Sequence, residues 1–147
     1  MFFDEFKIGD TFHTRSRTVT EADIVAFAGL SGDFNSLHVD AEYGKTSPFG
    51  QRIAHGLLVL SIARGLMVQT GITSDSVIAF YGIDKLRFVK PVFIGDTVTV
   101  ANRVLELAPK DETRGLVVFE TTVTKQTGDP VLVFHRLVLL RRQGAGA

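Results

Sequence analysis

The stretch AHGLLVLSIARGLMVQTG, residues 54–71, decides what kind of fold this chain can take. From Gly56 to Gln69 its only clearly polar side chains are Ser61, Arg64 and Gln69. A helix that is apolar nearly all round must be buried on most sides. At this length it falls short of the roughly 18 apolar residues that span a bilayer, so protein has to supply the burial. The spacing therefore predicts a central helix from about Gly56, with His55 as a helix-start residue or hydrogen-bonding support.

What lies downstream shows what can cover such a helix. SVIAFYGIDKLRFV (76–89), DTVTVANRVLELA (96–108), GLVVFETTVTKQTG (115–128) and PVLVFHRLVLLRR (130–142) are rich in β-branched and aromatic residues. Turn signals separate them at Gly95-Asp96, Lys110-Asp111 and Gly128-Asp129-Pro130. Val117, Phe119, Thr121 and Val123 share one face by period two. No helical pattern intervenes, so these strands should pair antiparallel. GDTFHTRSRTV (9–19) offers a further strand. In TVTEADIVAFAGLSG (18–32), Thr20 and Asp23 approach a capping box, Ile24, Phe27 and Ala28 share a helical face, and Gly29 or Gly32 is a stop. Residues 39–52 read as loop. A long antiparallel sheet and one apolar helix combine naturally when the sheet curls around the helix, the α+β hot-dog arrangement. Residues 1–141 are expected to form this single domain, with 142–147 a disordered tail. An exposed sheet edge predicts pairing with a second copy, in a homodimer or higher homo-oligomer.

The chain has 147 residues, and its 16 basic side chains balance its 16 acidic ones. That gives no basic footprint for nucleic acid or a membrane surface. The cysteine count is zero, which removes disulfides, thiolate metal sites and cysteine nucleophiles, and fits a reducing cytoplasm. The acidic start MFFDEFKIGD does not read as a signal peptide. Dinucleotide, nucleotide, serine-hydrolase and zincin motifs are absent.

One loop mixes residue types that neither a surface turn nor a core segment needs. SGDFNSLHVD (31–40) places Asp33, Asn35 and His38 among Phe34 and Leu37. A carboxylate and an imidazole can share one water, the first accepting a proton and the second positioning or donating one. Asn35 offers a donor and an acceptor to hold the loop or the water. The same residues also suit a helix exit, an Asx turn and a histidine bonded to a backbone carbonyl. Phe34 and Leu37 are expected to anchor the loop against the central helix. Gly56, at the start of that helix, would present an unpaired backbone N–H to a carbonyl oxygen, or serve only close packing. Ser61 and Arg64 are polar groups that either line a pocket or reach an interface. Asp33, His38, Asp40 and His55 lack compact ligand spacing, so no metal is expected.

SGDFNSLHVD followed by PFGQRIAHGLL (48–58) and LRFVKPVFIGDTVTV (86–100) resembles the MaoC-like hydratases, which include the (R)-specific enoyl-CoA hydratases. The order of elements is similar over roughly residues 5–141. The resemblance implies a hot-dog fold, usually dimeric, that adds water reversibly to trans-2-enoyl thioesters to give (R)-3-hydroxyacyl thioesters. It implies Asp33 and His38 as the catalytic pair, Asn35 as the supporting asparagine and the Gly56 N–H as donor to the thioester carbonyl. No cofactor is implied beyond coenzyme A or an acyl-carrier protein as the substrate's carrier. Lys85, Arg87, Lys90 and Arg103 are candidates for carrier phosphates. Two positions depart from the family pattern: Ser36 stands where proline is usual, and Arg64 where short-chain hydratases carry a small residue. Arg64 would shorten the acyl pocket or meet a polar acyl group. Two other functions share these features: an acyl thioesterase that directs water at the thioester carbonyl, and a non-catalytic acyl-thioester-binding subunit.

Overall fold

The computed structural model describes residues 1–144. Its strands are β1 (Thr11–His13), β2 (Arg17–Thr18), β3 (Val77–Phe88), β4 (Thr97–Pro109), β5 (Arg114–Lys125) and β6 (Pro130–Arg141). Its helices are α1 (Glu21–Ser31), α2 (Ser36–Val39), α3 (Ala41–Thr46) and α4 (Gly56–Val68). All strand pairs are antiparallel, in the order β1-β4-β5-β6-β3, with β2 also pairing with β4. This is the hot-dog fold expected from one apolar helix and four long strands.

Period-two patterning does most of the positioning. Val117, Phe119, Thr121 and Val123 all face inward from β5 and are buried. Val98, Val100, Leu132 and Phe134 pack with Leu58, Val59, Ile62, Ala63, Leu66 and Met67 of α4 in one core cluster. A second cluster joins Phe3 and Phe6 to Val104, Phe119, Val138 and Leu140. The expected strand over residues 9–19 is divided into β1 and β2, because Thr14 turns inward at the break. Its N–H donates to Val100 O and its Oγ1 accepts from Val100 N–H, both at 3.0 Å.

Two further differences bear on function. Helix α4 is covered by the sheet on one side only, leaving Leu57, Ser61 and Val68 as an open stripe, with Leu57 58% exposed. The segment 39–52 is not all loop. Asp40 caps α3 by accepting from Tyr43 N–H at 3.0 Å, so a single side chain was enough to start a helix there. At the far end, Arg142 and the Gln143 N–H are bound to Asp4, whereas residues 145–147 of the expected tail lie outside the described residues. No helix among the described residues is long and apolar enough to cross a membrane.

Helix α1 delivers the chain to the Asp33 loop, and its start is the capping box the sequence suggests. Thr20 Oγ1 accepts from Asp23 N–H, and Asp23 Oδ2 accepts from Thr20 N–H. It stops at Gly32, whose φ of 77° places it in the left-handed region. Thr20→Ala is expected to lower stability by about 1 kcal/mol, read as a lower urea midpoint with an unchanged m-value.

Candidate active site

The loop after α1 is folded by its own short side chains. Asp33 Oδ1 accepts from Asn35 N–H at 3.2 Å. Asn35 Oδ1 accepts from Leu37 N–H at 3.0 Å, which makes Asn35 the N-cap of the single-turn helix α2 that carries His38. Asn35 thus sets where His38 points.

The residues just before α4 then fasten this loop to the core. Ile53 N–H donates to Leu37 O at 3.0 Å, and His38 Nδ1 lies 2.7 Å from Ile53 O. His55 Nε2 lies 2.9 Å from the backbone oxygen of Asp33. A carbonyl oxygen only accepts, so the proton sits on Nδ1 of His38 and on Nε2 of His55. His38 is thereby left with Nε2 as its working nitrogen. The two imidazoles stack at 3.8 Å between centroids, and the Phe27 ring lies tilted against His55 at 4.9 Å. His55 is 2% exposed, with no partner for its Nδ1.

A carboxylate oxygen of Asp33 and one ring nitrogen each of His38 and His55 lie within 4.8 Å of one another. The structure therefore brings the two sequence-predicted catalytic residues together and adds His55 beside them. Two of these three groups have already committed a ring nitrogen to a backbone carbonyl. Asp33 is exposed and His38 half-buried, so the pair faces outward and is open to a small reactant.

Gly56 is the first residue of α4, and its N–H donates to no group among the described residues. It borders a cavity of about 400 Å³, lined also by Phe49, Ile53, Val59, Phe88 and Pro91. Asp33 and His38 do not line this cavity; Ile53 connects it to them, holding His38 through its carbonyl. A Cβ at Gly56 would come within 2.5 Å of the Phe88 ring, so any larger residue here has to displace that ring.

Other expected residues fall elsewhere. Ser61 is exposed and bonds back to Leu57 O in its own helix at 2.8 Å. Arg64 is half-buried with its guanidinium 5.4 Å from the Phe80 ring centroid. Neither lines the cavity beside Gly56. Phe34 is 60% exposed and does not anchor the loop as expected; the two histidine–carbonyl bonds do that instead. Of the basic candidates only Lys90 lines the cavity, paired with Asp129 at 2.6 Å. Phe49, Phe88 and Pro91 were not singled out by the sequence. The one available signal was Pro91, which breaks the strand pattern directly after a run of β-forming residues.

Residues 5–128 match the family model described as MaoC like domain. The chain is 37% identical over 123 residues to the (R)-specific enoyl-CoA hydratase of Rhodospirillum rubrum, covering 84% of this chain and 81% of that protein. It is 48% identical over 99 residues to protein MaoC of Klebsiella aerogenes. That match covers 67% of this chain and 29% of the relative, which is the longer protein. Among solved structures, the monoamine oxidase regulatory protein from Archaeoglobus fulgius is similar at a TM-score of 0.92 with 42% identity. The likeness covers 97% of this chain and 95% of that one.

The contact between Gly56 and Phe88 makes a specific prediction. Phe88 is 51% exposed, so its ring has room to swing away from an added methyl group. Gly56→Ala is expected to cost roughly 1–3 kcal/mol through overpacking. Adding Phe88→Ala should recover part of that loss, seen as non-additive midpoints in a double-mutant cycle.

Proposed function

The chain belongs to the MaoC-like domain family, and on that premise we propose that it is a hydro-lyase acting on 2-enoyl thioesters. In this reading it adds water reversibly to the double bond, giving the (R)-3-hydroxyacyl thioester. The observation that carries it is the placement of Asp33 and His38 beside each other, with His38 Nδ1 tied to Ile53 O and the free Gly56 N–H three residues further along. The name of the Rhodospirillum relative supports the same reaction class.

The chemistry follows from these positions. The thioester carbonyl accepts from the Gly56 N–H at the positive end of α4, which draws electron density away from C3. One water lies between Asp33 and His38. Asp33 takes a proton from it as the oxygen attacks C3. That proton then passes from Asp33 through His38 Nε2, the ring nitrogen left free, to C2. One water is added and both side chains are restored. His55 holds the Asp33 backbone and braces the His38 ring from behind. No resident metal or redox cofactor enters the scheme.

The cavity beside Gly56 suits the thioester and its pantetheine arm, with Lys90 placed for a carrier phosphate. The assembly we assign is a second copy of this chain along β3. That strand ends the sheet and exposes Val77, Ile78, Phe80 and Tyr81, next to the open stripe of α4.

Asp33→Asn and His38→Gln should each slow hydration of crotonyl-CoA by roughly 10²- to 10⁴-fold, with thermal unfolding close to that of the wild type. Near-normal rates in both variants would remove these side chains from the mechanism.

A further inference from the structure

One wall of the cavity beside Gly56 is chain that belongs to no strand or helix. Residues 89–96 join β3 to β4, and Val89, Lys90, Pro91 and Val92 line the cavity. Outside a ladder, the polar groups of such a segment need partners from elsewhere. No backbone N–H among the described residues reaches Pro91 O.

Its partner comes from β5. The inward positions of that strand run Val117, Phe119, Thr121 and Val123, and period two makes Lys125 the next. Opposite Lys125 on β4 stands Val98, which is fully buried. The Lys125 ammonium therefore ends beneath the 89–96 segment. It donates to Pro91 O at 3.3 Å and to Asp96 Oδ2 at 3.1 Å, and lies 5.0 Å from the Phe93 ring centroid. Asp96 closes the turn: Oδ2 also accepts from Phe93 N–H at 2.9 Å, and Oδ1 accepts from Gln126 Nε2 at 2.7 Å.

With side chains 12% and 11% exposed, Lys125 and Asp96 are the most enclosed ion pair among the described residues. Burial works against the Asp96 charge, but bonds from Gln126, the Phe93 N–H and Lys125 outweigh it and hold the carboxyl below the ordinary carboxylate range. An enclosed ion pair adds little stability over apolar side chains of the same volume. What this pair supplies is shape, because one ammonium gathers the Pro91 carbonyl, the Phe93 ring and the Asp96 carboxylate.

The other side of the turn faces the site. Val92 O accepts from Ala54 N–H at 2.7 Å, and Phe93 forms an isolated bridge with Ile53. Ile53 O is the atom that holds His38 Nδ1, and Gly56 follows three residues later. We propose that Lys125 and Asp96 are positioning residues for the acyl thioester, holding the Pro91–Val92 wall at a fixed place relative to the Gly56 N–H. Neither lines the cavity, so both act through the turn. The identity of the occupant rests on the hydratase reading.

The wall meets the bound molecule before and during reaction alike, so loosening it weakens binding more than turnover. Asp33 and His38 keep their separate ties, through His55 to the Asp33 backbone and through Ile53 N–H to Leu37 O.

Lys125→Met keeps the stem and removes the ammonium. In the first arm, calorimetry measures binding of butyryl-CoA, a saturated thioester with no double bond to hydrate. The variant is expected to bind it with a Kd roughly tenfold higher than the wild type. In the second arm, crotonyl-CoA hydration is expected to show a KM raised roughly tenfold and a kcat lowered less than about threefold. Asp96→Asn should reproduce both results. The double variant should be little worse than either single one, because the two residues act as a unit. A general loss of packing would instead reduce the active fraction, lowering kcat at unchanged KM and Kd. That pattern, wild-type values of Kd and KM in Lys125→Met, or a wild type that binds no butyryl-CoA overturns the proposal. If Lys125→Met does not fold, Asp96→Asn carries both arms. The binding arm needs no turnover, so it is distinct from failure of the hydratase reading. A wild type that hydrates no enoyl thioester, yet binds butyryl-CoA tenfold more tightly than Lys125→Met, removes that reading and supports the positioning role.

Discussion

The short run from Ile53 to Gly56 carries the hydrogen bonds on which the site depends. Ile53 binds the loop twice, through Leu37 O and His38 Nδ1, and Ala54 N–H reaches Val92 O at 2.7 Å on the opposite side. His55 holds the Asp33 backbone, and Gly56 opens α4. Each of these backbone groups would be costly to bury unpaired. Satisfying them fixes the loop, the cavity wall and the helix start relative to one another. The apolar body of α4, pressed into the curled sheet, keeps the run from moving. A core constraint is thereby converted into a few ångströms of precision at Asp33 and His38.

Most of the sheet could be read directly from the chain, because β-strand patterning is local. The segments 76–89, 96–108, 115–128 and 130–142 became β3 to β6 with their turns where the Gly, Asp and Pro residues lie. Thr20, Asp23 and Gly32 marked α1 at both ends for the same reason: caps act within a few residues. What escaped depended on contacts across the molecule. The one-sided cover of α4 follows from how far the sheet curls, and no spacing in the chain encodes that. Helix α3 was hidden because Asp40 looks identical in a turn and in a cap.

The candidate site divides the same way. Asp33 and His38 were legible from their chemistry and from the resemblance that Asn35 and the Ala54-His55-Gly56 run supported. The exposure of Phe34 was not, since an aromatic residue beside a helix can face either way. His55 was foreseen as a hydrogen-bonder, but its stacking on His38 was not. It depends on two loops meeting 17 residues apart in the chain. Ser36 in place of the family's proline is accommodated because Asn35 caps α2 without help from a fixed φ.

What the wild-type protein does to a trans-2-enoyl-CoA tests the roles of Asp33, His38 and Gly56 most directly. Enoyl absorbance and free thiol are followed together, and the product is resolved by chirality. For a hydratase, absorbance falls towards an equilibrium with no thiol released, and the (R)-3-hydroxyacyl thioester accumulates. Release of free thiol in step with substrate loss, or an unchanged spectrum under saturating protein, would contradict those roles.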